Sequence, residues 1–585
     1  MATALRTLLV VPLLVVGASA CVGLLGDFSV SSSANDGGPG DDAATIDAST
    51  EAGAEGSAPD GGGGEAGQSD FSLAVATPYV GVVRGATGSV GVTVAPSGGF
   101  TGAVAITVSG LPSGITADPL TIAAGQTSGT VTLRAPAGAT LGDGPQLTVT
   151  GTSGALTHTA TVGLLVQDAS GTLDTTFGNK GLLDDSNTFA SFGGMALQAD
   201  GKFLICGGVN NPSTLTAFVR RFNADATPDT TFGSPSDGGP PGSVTIPSPA
   251  AGTASACNAI TVLPSGLIFL TGFAQDASGN DIMWAVRLTA SGSVDSAFGN
   301  GGIAEVASTW VPSSASAIAV DASGGVLLAG SIGTSTPKPL LARFTATGQI
   351  DANFGTSGNG TVRPLVIGAT NAVGAAFTSG GDLLFPFAAQ SFTVQRYSAG
   401  GILDGTFFSS GTATMSVGAG SSSAGAIAVQ TDGSILLAGQ AVAQASDAST
   451  TTEMALGRLT SDGHADTTFG SQGAIGVQLG SGSSWANGVA PDSAARIVVA
   501  GHIEANSSNL AFGVARFTPS GKLDSNFAGG QGFVSTVAGF GCYEAHSCAV
   551  FPDDRILAAG VKACRACPVG QPCNPLSLLA SRYWP

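Results

Sequence analysis

The sequence predicts an all-β protein, and three observations support this fold class. Of 585 residues, 89 are Gly and only 10% are charged, while Phe supplies 28 of the aromatic residues. Runs rich in Thr, Val and Ser alternate between apolar and polar residues and are separated by Gly, Pro and Ser turns, which is typical of strands. From residue 171 to residue 585 one set of short motifs recurs seven times, and such recurrence indicates a repeat architecture.

The charge balance excludes one class of partner. The formal net charge is −19 and the isoelectric point is about 4.3. Nucleic acid and anionic membrane surfaces would repel such a chain, so we expect no nucleic-acid partner.

Residues 1–20 are predicted to be a signal peptide. Arg6 is followed by an apolar run from Leu8 to Val16, which is far shorter than the ~20 residues that span a bilayer. A short apolar run followed by small residues is the pattern of a secretory signal. An ordinary signal cleaved near Ala20 is one interpretation of this segment.

The four residues before position 22, "ASAC", favour a lipid anchor instead. They resemble the lipobox of bacterial lipoproteins, although Ala18 stands where that family usually has Leu or Val. The resemblance implies that Cys21 is acylated and becomes the mature N-terminus. Because Val22 and not Asp follows, it also favours the outer membrane or cell surface as the location, so the expected membrane contact is through this anchor.

Residues 21–70 are predicted to combine the lipid anchor with a disordered linker. From Ser31 to Asp70 the chain has nine acidic residues, no basic ones and almost no large apolar side chain. Such a segment cannot bury enough surface to offset its ordering entropy. We expect a flexible tether that spans a few tens of ångströms.

Residues 71–168 are predicted to form a β-sandwich. Alternating runs such as "GSVGVTVAPS" and "GTVTLRAP" suggest about seven short strands, with no helical period. The stretch "FTGAVAITVSGLPSGI" (Phe100–Ile115) resembles bacterial immunoglobulin-like domains. This resemblance implies a spacer.

Three motifs make up each repeat between residues 171 and 585. A hairpin such as "ALQADGKFLI" is followed by an Arg next to a large apolar residue, and then by D-x-x-F. The D-x-x-F motifs are 53 to 66 residues apart. The arginines are Arg221, Arg287, Arg343, Arg396, Arg458, Arg516 and Arg582, and the aspartates are Asp174, Asp229, Asp295, Asp351, Asp404, Asp466 and Asp524.

The first and last motifs predict that the repeat region closes on itself. In the six complete cases Asp follows Arg by eight residues, whereas Asp174 has no Arg before it and Arg582 has no Asp after it. We therefore expect these two residues to be partners. Seven units of four strands each (one after F-G, two from the hairpin and one ending at the Arg) would then form a seven-bladed β-propeller, which hides the sheet edges.

Two aspects of this closure remain open at the level of sequence. An open β-solenoid is the rival architecture, but its end repeats should be atypical caps, and these are not. The sequence also does not decide whether the first copy adds a strand to the last blade or only a link.

The repeats resemble the Delta-60 repeat family of bacterial propeller-like domains. The matching residues are "LDxxFG", "ALQADGKFLI" and "ARF" followed by "ID", with departures at Phe408 and Ala528, which replace the motif Gly, and at Arg396, which precedes Tyr. The resemblance implies the fold and an extracytoplasmic setting, and it implies no reaction.

The repeated Arg and Asp are predicted to be scaffold. Arg would pair bidentately with the Asp eight residues later while Phe fills the wedge between blades. The alternative is that the seven aspartates surround a cation. Residues that recur equally in every blade are usually structural, since a functional site needs asymmetry.

Seven cysteines beyond Cys21 are candidates for disulfides because an exported protein folds in an oxidising compartment. They are Cys206, Cys257, Cys542, Cys548, Cys564, Cys567 and Cys573. Seven is an odd number, so one thiol should be left over. The alternative is a zinc site built from Cys564 and Cys567 with Cys542, Cys548 or His546.

No catalytic, metal or cofactor constellation is apparent in the sequence. The four His lack a metal-binding spacing, and Trp310 and Trp485 are the Trp residues that fall in non-motif loops of the repeat region. We therefore predict a non-enzymatic, lipid-anchored cell-surface protein whose propeller serves binding, adhesion or assembly, with a protein or polysaccharide partner. The alternative is a propeller enzyme that acts on extracellular or envelope glycans. Acids clustered in an axial pocket would favour the enzyme, and apolar loop tips would favour binding.

Overall fold

The structure is a computed structural model, and it describes most of the chain after residue 67. The described ranges are 68–185, 190–211, 214–233, 239–248, 254–306, 310–418, 420–444, 450–506, 509–537, 542–563 and 577–585. The predicted signal peptide, Cys21 and nearly all of the predicted linker therefore lie outside the described residues. No helix in the described ranges is long and apolar enough to cross a lipid bilayer.

Nine strands at the start of the described chain form two sheets, ordered β1-β3-β7-β5 and β2-β9-β8-β4-β6. The two sheets share one core, to which Phe71, Val92 and Leu133 contribute from one sheet and Val149 and Leu164 from the other. The strands are β1 (Asp70–Val75), β2 (Tyr79–Val83), β3 (Thr87–Ser97), β4 (Val104–Ser109), β5 (Thr116–Ala117), β6 (Leu120–Ile122), β7 (Ser128–Arg134), β8 (Gly142–Ser153) and β9 (Leu156–Gln167). We call this part the sandwich.

The alternation of apolar and polar residues explains why these segments form strands of the sandwich. In β3 every second residue from Gly88 to Val94 is buried, so one face of the strand lies on the core and the other faces solvent. The immunoglobulin-like assignment of residues 71–168 stays a prediction.

The rest of the described chain forms seven antiparallel sheets of four strands each. Sheets 1 to 3 are β11 (Ser191–Leu197), β12 (Phe203–Asn211), β13 (Thr214–Phe222) and β14 (Ser243–Thr245); β15 (Ser255–Val262), β16 (Ile268–Gln275), β17 (Asp281–Leu288) and β18 (Ile303–Glu305); β19 (Ser313–Val320), β20 (Val326–Ile332), β21 (Lys338–Phe344) and β22 (Thr361–Val362). Sheets 4 to 6 are β23 (Ala376–Phe377), β24 (Leu383–Phe387), β25 (Phe392–Tyr397) and β26 (Thr412–Met415); β27 (Ser422–Val429), β28 (Ile435–Gln444), β29 (Thr450–Leu459) and β30 (Ala474–Val477); β31 (Ser484–Pro491), β32 (Ile497–Asn506), β33 (Asn509–Phe517) and β34 (Phe533–Thr536). Sheet 7 is β35 (Cys542–Val550), β36 (Ile556–Ala563), β37 (Ser577–Tyr583) and β10 (Leu182–Asp185), and short 3₁₀ turns occur at Phe407–Ser409 and Ala528–Gly530.

A hydrophobic core lies between each pair of neighbouring sheets, and one such core joins the last sheet to the first. In that core Phe192 and Phe203 of sheet 1 pack with Leu557 and Leu578 of sheet 7. The innermost strands β11 and β35 are also in contact. These sheets pack face to face around a common axis, which is the architecture of a β-propeller. The all-β prediction and the β-propeller prediction are thus confirmed.

The final sheet is completed by a strand from the start of the repeat region. Strand β10 pairs with β37 in the register Leu182 with Ser581 through Asp185 with Leu578. An isolated bridge joins Leu173 to Tyr583. The first repeat copy therefore adds a strand to the last sheet, and not only a link.

The predicted boundary of the repeat unit was wrong by one strand. The strand after F-G pairs with the preceding Arg-bearing strand, as β14 does with β13, and so completes the sheet before it. The two strands stay together because of the turn between them. In this turn the backbone N–H of the Asp donates to the backbone carbonyl of the Arg, as Asp229 does to Arg221 at 3.0 Å. This bond closes a hairpin, and a hairpin keeps both of its strands in one sheet.

A bulge in the innermost strands was missed by the sequence analysis. Register shifts occur between the residues that flank Gly193, Asn258, Ser316, Gly425, Asn487 and His546. Where the bulged residue is Asn its amide reaches the next sheet: Asn258 Nδ2 donates to the Ala315 carbonyl at 2.8 Å, and Asn487 Nδ2 to the Ala545 carbonyl at 2.9 Å. The bulge also explains the repeated Gly of the hairpin, since a Cβ on Gly330 or Gly501 would meet a carbonyl oxygen of the innermost strand at 2.0 Å.

Candidate functional site

The repeat arginines connect neighbouring sheets. In six of the seven cases Arg Nε lies 2.6–2.8 Å from Oδ2 of its aspartate. In the seventh, Arg343 to Asp351, the distance is 3.4 Å because Arg343 also pairs with Asp321 at 2.5 Å. The predicted pairing is present, but a single Nε–H makes it, so the prediction of a bidentate pair was wrong.

The second hydrogen bond of these arginines leads to the adjacent sheet. Nη1 donates to a carbonyl in the corresponding turn of the next sheet, which belongs to Ala224, Ala290, Ala346, Ala399, Ser461 or Pro519. Arg516 departs from this series, because its Nη2, and not its Nη1, donates to the Ser170 hydroxyl at 3.1 Å. Ser170 precedes the first repeat, so the chain before Asp174 supplies the contact that a hairpin turn of the next sheet supplies to the other repeat arginines.

Aromatic packing and charge complete this scaffold. In six sheets the guanidinium lies 4.5–5.1 Å from the ring centre of the motif Phe, which is a cation–π distance. Burial alone would raise the pKa of Asp229, but hydrogen bonds from Lys202 and Thr231 and the charge of Arg221 hold it well below its usual range. All seven aspartates therefore lie beside a repeat arginine. The described ranges contain no group of three or more His, Cys, Asp or Glu that could hold a metal ion.

The cysteines divide into three groups. Cys206 and Cys257 form a disulfide between sheets 1 and 2, with 5.7 Å between their Cα atoms, so the prediction of a disulfide is confirmed for this pair. Cys564, Cys567 and Cys573 lie outside the described residues, and of Cys542 only its place in β35 is described. Cys548 is a buried thiol whose Sγ lies 3.9 Å from the Val498 carbonyl.

The zinc alternative is not supported at His546 and Cys548. The His546 ring stacks on Phe192 at 5.5 Å, on the side of sheet 7 that faces sheet 1. Cys548 belongs to the core on the other side, between sheets 6 and 7. The two side chains therefore cannot share a metal ion.

A cleft of about 430 Å³ lies between the outer parts of sheets 2 and 3. Its apolar wall includes Ile303, Phe344 and Ile350, and its polar groups include Glu305 and Gln349. Partial burial raises the pKa of the Glu305 carboxyl.

Trp310 stands at the edge of this cleft and packs against the core between sheets 2 and 3. The guanidinium of Arg363 lies over its ring at 4.4 Å. The other Trp that the sequence analysis placed in a loop, Trp485, in fact lies in β31, where it stacks on His502 at 3.8 Å.

Arg363 begins a short segment that we call the 363–367 loop. Pro364 is buried and Val366 packs against the core between sheets 3 and 4, so the residues between and after them point outward. Leu365 is 92% exposed and Ile367 is 97% exposed, whereas the next most exposed large apolar residue of the described chain, Ile402, is 49% exposed. The sequence analysis did not single out this loop, although an apolar "LVI" between a Pro and a Gly, away from the repeat motifs, was a visible signal.

Comparison with known proteins supports the fold and leaves the function open. A family model described as "Domain of unknown function (DUF5122) beta-propeller" matches residues 198–232, 430–469 and 496–527. These segments contain repeat hairpins, arginines and D-x-x-F motifs, so the chain is similar to a β-propeller repeat family. No curated protein matches the sequence.

Several solved structures show distant similarity to this chain. They include Sqt1 from Chaetomium thermophilum (11% identity, 67% of this chain and 86% of that one, TM-score 0.35) and a protein of unknown function from Bacteroides caccae (11%, 49% and 87%, 0.28). The polysaccharide lyase Uly1 is another (8%, 71% and 92%, 0.35). At these scores the similarities carry no argument about activity.

Proposed function

We propose that this protein is a lipid-anchored, extracytoplasmic binding protein that uses a seven-bladed β-propeller to dock a partner protein. Seven four-stranded sheets with a core between the last and the first support the blade number. In this proposal Cys21 carries the lipid, the acidic segment after it is the tether, and an immunoglobulin-like sandwich is the spacer. The partner meets the outer surface formed by the 363–367 loop and the neighbouring cleft.

The observation that carries the proposal is the exposure of Leu365 and Ile367. Isolated surface Leu and Ile are common, but these two project almost fully from a loop whose intervening residue is anchored in a core. Their burial against a partner would contribute roughly 1.5–3 kcal/mol each. Ile350, which is also partly exposed, extends the apolar surface into the cleft.

The charge of the molecule defines the partner further. At a net charge of −19, a basic partner would associate faster than an acidic one through long-range attraction. The cleft offers Glu305 and Gln349 as acceptors beside its apolar wall. We therefore propose an exported protein that presents an apolar anchor side chain flanked by basic residues.

The test compares matched double variants of the purified protein as bait in native envelope extract. We expect Leu365→Ser with Ile367→Ser to lose the partner, and the binding constant with that purified partner to weaken at least tenfold. The control is Ile402→Ser with Val537→Ser, two exposed positions outside this surface, which should retain full binding. Equal capture by both double variants would refute the docking surface, and binding to envelope polysaccharide that depends on Trp310 would replace the protein partner by a glycan.

The anchor requires its own test because it is independent of the docking surface. A lipid attached through the Cys21 sulfur would keep the protein in the membrane fraction, and serine has no thiol to carry it. We expect Cys21→Ser to appear in the soluble extracytoplasmic fraction. Retention of this variant in the membrane fraction would contradict the lipid anchor.

A glycan-acting enzyme is the second candidate, and Glu305 is the observation in its favour. A carboxyl with a raised pKa in a cleft is suited to general acid catalysis. Glycoside hydrolysis usually needs a second carboxylate opposite the first, and Glu305 is the one carboxylate among the described residues that line the cleft. Depolymerisation of an envelope glycan by the purified protein would favour this candidate over docking.

A further inference from the structure

Two asparagines that line the cleft between sheets 2 and 3 are each followed by glycine. The sequence contains three such dipeptides, Asn300–Gly301, Asn359–Gly360 and Asn487–Gly488, and the asparagines of the first two line the cleft. Asparagine is a thermolabile residue. A following glycine increases its reactivity, because a residue without a side chain leaves its backbone nitrogen open to close approach. The surroundings of the three dipeptides differ, and this difference decides which of them can react.

Loss of the side-chain amide proceeds through the backbone of the next residue. The glycine nitrogen attacks Cγ of the asparagine, the Cγ–Nδ2 bond breaks, and ammonia leaves with the proton of the glycine N–H. Water then opens the cyclic imide at either carbonyl, which gives aspartate or isoaspartate. The reaction therefore needs a side chain that is free to turn toward its own backbone and a following N–H that water can reach.

Asn300 meets both requirements. It is exposed, as is Gly301, and its side-chain amide has no hydrogen-bond partner within the described chain. The Gly301 N–H makes no backbone hydrogen bond there, and a Cβ on Gly301 would have no atom within 4 Å. The turn is held by the backbone instead, since the Asn300 N–H donates to the Ile303 carbonyl at 2.7 Å. The side chain can therefore rotate without opening the turn.

Hydrogen bonds hold the other two asparagines. Asn359 Oδ1 accepts from the Thr361 N–H at 3.1 Å and from the Thr361 hydroxyl at 3.0 Å, and Gly360 is buried. Asn487 Nδ2 donates to the Ala545 carbonyl of the next sheet at 2.9 Å. These bonds must break before either side chain can turn toward its backbone, so both residues should react slowly.

We propose that Asn300 is a site of spontaneous deamidation, and that the carboxylate it forms strengthens the attraction of the cleft for a basic partner. Glu305 is the one carboxylate among the described residues that line the cleft, so conversion of Asn300 adds a second. The deamidation itself follows from the chemistry of the turn, whereas its effect on binding rests on the proposed docking function. Because the reaction is irreversible, the converted fraction increases with the age of each molecule.

The first test follows deamidation in the purified full-length protein. The protein is incubated in mildly alkaline buffer, native or in denaturant, and its peptides are analysed by mass spectrometry. In the native protein we expect Asn300 to convert at least tenfold faster than Asn359 and Asn487, and in the denatured chain we expect the three rates to be similar. Equal native rates, or the same order of rates in denaturant, would overturn the assignment of Asn300.

Asn179 is the matched control for the role of glycine. It occupies the same position of the equivalent turn, it is exposed, and its N–H likewise donates to a carbonyl, that of Leu182, at 2.7 Å. Lys180 and not glycine follows it, so we expect its conversion to be at least tenfold slower than that of Asn300. Equal conversion of Asn179 and Asn300 would contradict attack by the Gly301 nitrogen.

The second test measures the effect of the new charge on binding. The probe is acetyl-Lys-Leu-Lys-amide, which carries an apolar side chain between two basic ones. We expect Asn300→Asp to bind it roughly twofold to fivefold more tightly than the wild type at low salt, and Asn179→Asp, which adds the same charge outside the cleft, to bind it like the wild type. Equal affinities of the two variants would refute the effect on binding.

The two tests fail in distinguishable ways. Absence of probe binding by the wild type and by both variants would count against the docking surface and against the effect of the charge. Rapid conversion of Asn300 would still establish the deamidation site in that case, because its detection by mass spectrometry needs no partner.

Discussion

At the scale of single residues, the repeat arginines are the most informative feature of this molecule. The sequence predicted the Arg–Asp pairing because both residues recur at fixed spacing, and a buried pair needs both members. It did not predict the second contact, from Arg to a carbonyl of the next sheet, because that acceptor belongs to the backbone. A backbone carbonyl can belong to any residue type, so its role as an acceptor cannot be read from the sequence. The acceptors Ala290, Ser461 and Pro519 illustrate this variety.

Arg582 provides the most direct test of the Arg–Asp pairing. Its Nε donates to Asp174 Oδ2 at 2.6 Å, and the exposed fractions of the two side chains are 3% and 0%. Replacement by Met would leave Asp174 buried, with Arg555 at 3.7 Å as its remaining counter-charge. We expect the free energy of unfolding to fall by about 3–5 kcal/mol, as measured by chemical denaturation.

Two further variants complete that experiment. Arg134→Met removes a solvent-exposed pair with Asp118 in the sandwich, and such pairs add little to stability, so its unfolding should match the wild type. Asp174→Asn in the Arg582→Met background should recover part of the loss, because the carboxylate that lost its arginine is then no longer charged. If Arg582→Met unfolds like Arg134→Met, the pair does not stabilise the closure.

His546 gives the protein a predicted pH dependence of its stability. Burial lowers the pKa of this residue from 6.5 to about 4, and its ring stacks on Phe192 between the last and first sheets. The unfolded chain therefore binds this proton more readily than the folded one, so stability is complete above pH 6.5 and falls as the pH drops toward 4. The expected loss is at most about 3 kcal/mol, which denaturation at pH 7.5, 6 and 5 would measure.

The pH window identifies the group responsible. The depressed pKa values of carboxyls such as Asp229 and Asp466 also make stability fall as the pH falls, but in a lower window: their stabilisation is present above about pH 4 and is lost only below it. Between pH 7.5 and 5, His546→Gln should therefore flatten the profile, and His464→Gln, at an exposed turn, should not. A profile that stays equally steep in His546→Gln would show that another group is responsible.

At the scale of the strands, periodic patterns predicted which segments are strands but not which sheet each one joins. The strand after F-G was assigned to the following hairpin, whereas its turn places it in the preceding sheet. The innermost bulge was missed because its central residue differs among Gly, Asn, Ser and His, even though small residues flank it in "CNA", "ASA", "AGA" and "ANG". A bulge is hard to recognise in a single sequence when the residue at its centre differs from one repeat to the next.

The cleft could not be predicted for a related reason. It brings Glu305 and Trp310 together with Gln349 and Thr361 of the next sheet. This combination has no characteristic spacing in the sequence, so it can be recognised only when the sheets are seen side by side.

At the scale of the whole molecule, closure depends on the last residues of the described chain. Tyr583 and Trp584 are fully buried, and Trp584 exchanges backbone hydrogen bonds with Gly171 and Thr172 at 2.9 and 3.0 Å. These bonds connect the last residues to the segment that leads into β10, about four hundred positions earlier, so sheet 7 is completed by residues from the start of the repeat region. An open array would lack this dependence, since each of its units contacts its sequence neighbours alone.

Deletion of Ser581–Pro585 tests closure. It removes the Arg582 pair and two buried aromatic side chains, each of which contributes roughly 3–5 kcal/mol, so we expect the unfolding transition to move to a clearly lower temperature. Because sheet 1 packs on sheet 7, amide hydrogen exchange in Ser191–Leu197 should also accelerate, although this strand is distant in sequence. Deletion of Pro585 alone, which spares those contacts, is the control, and normal protection of Ser191–Leu197 after the longer deletion would mean that the two sheets do not support each other.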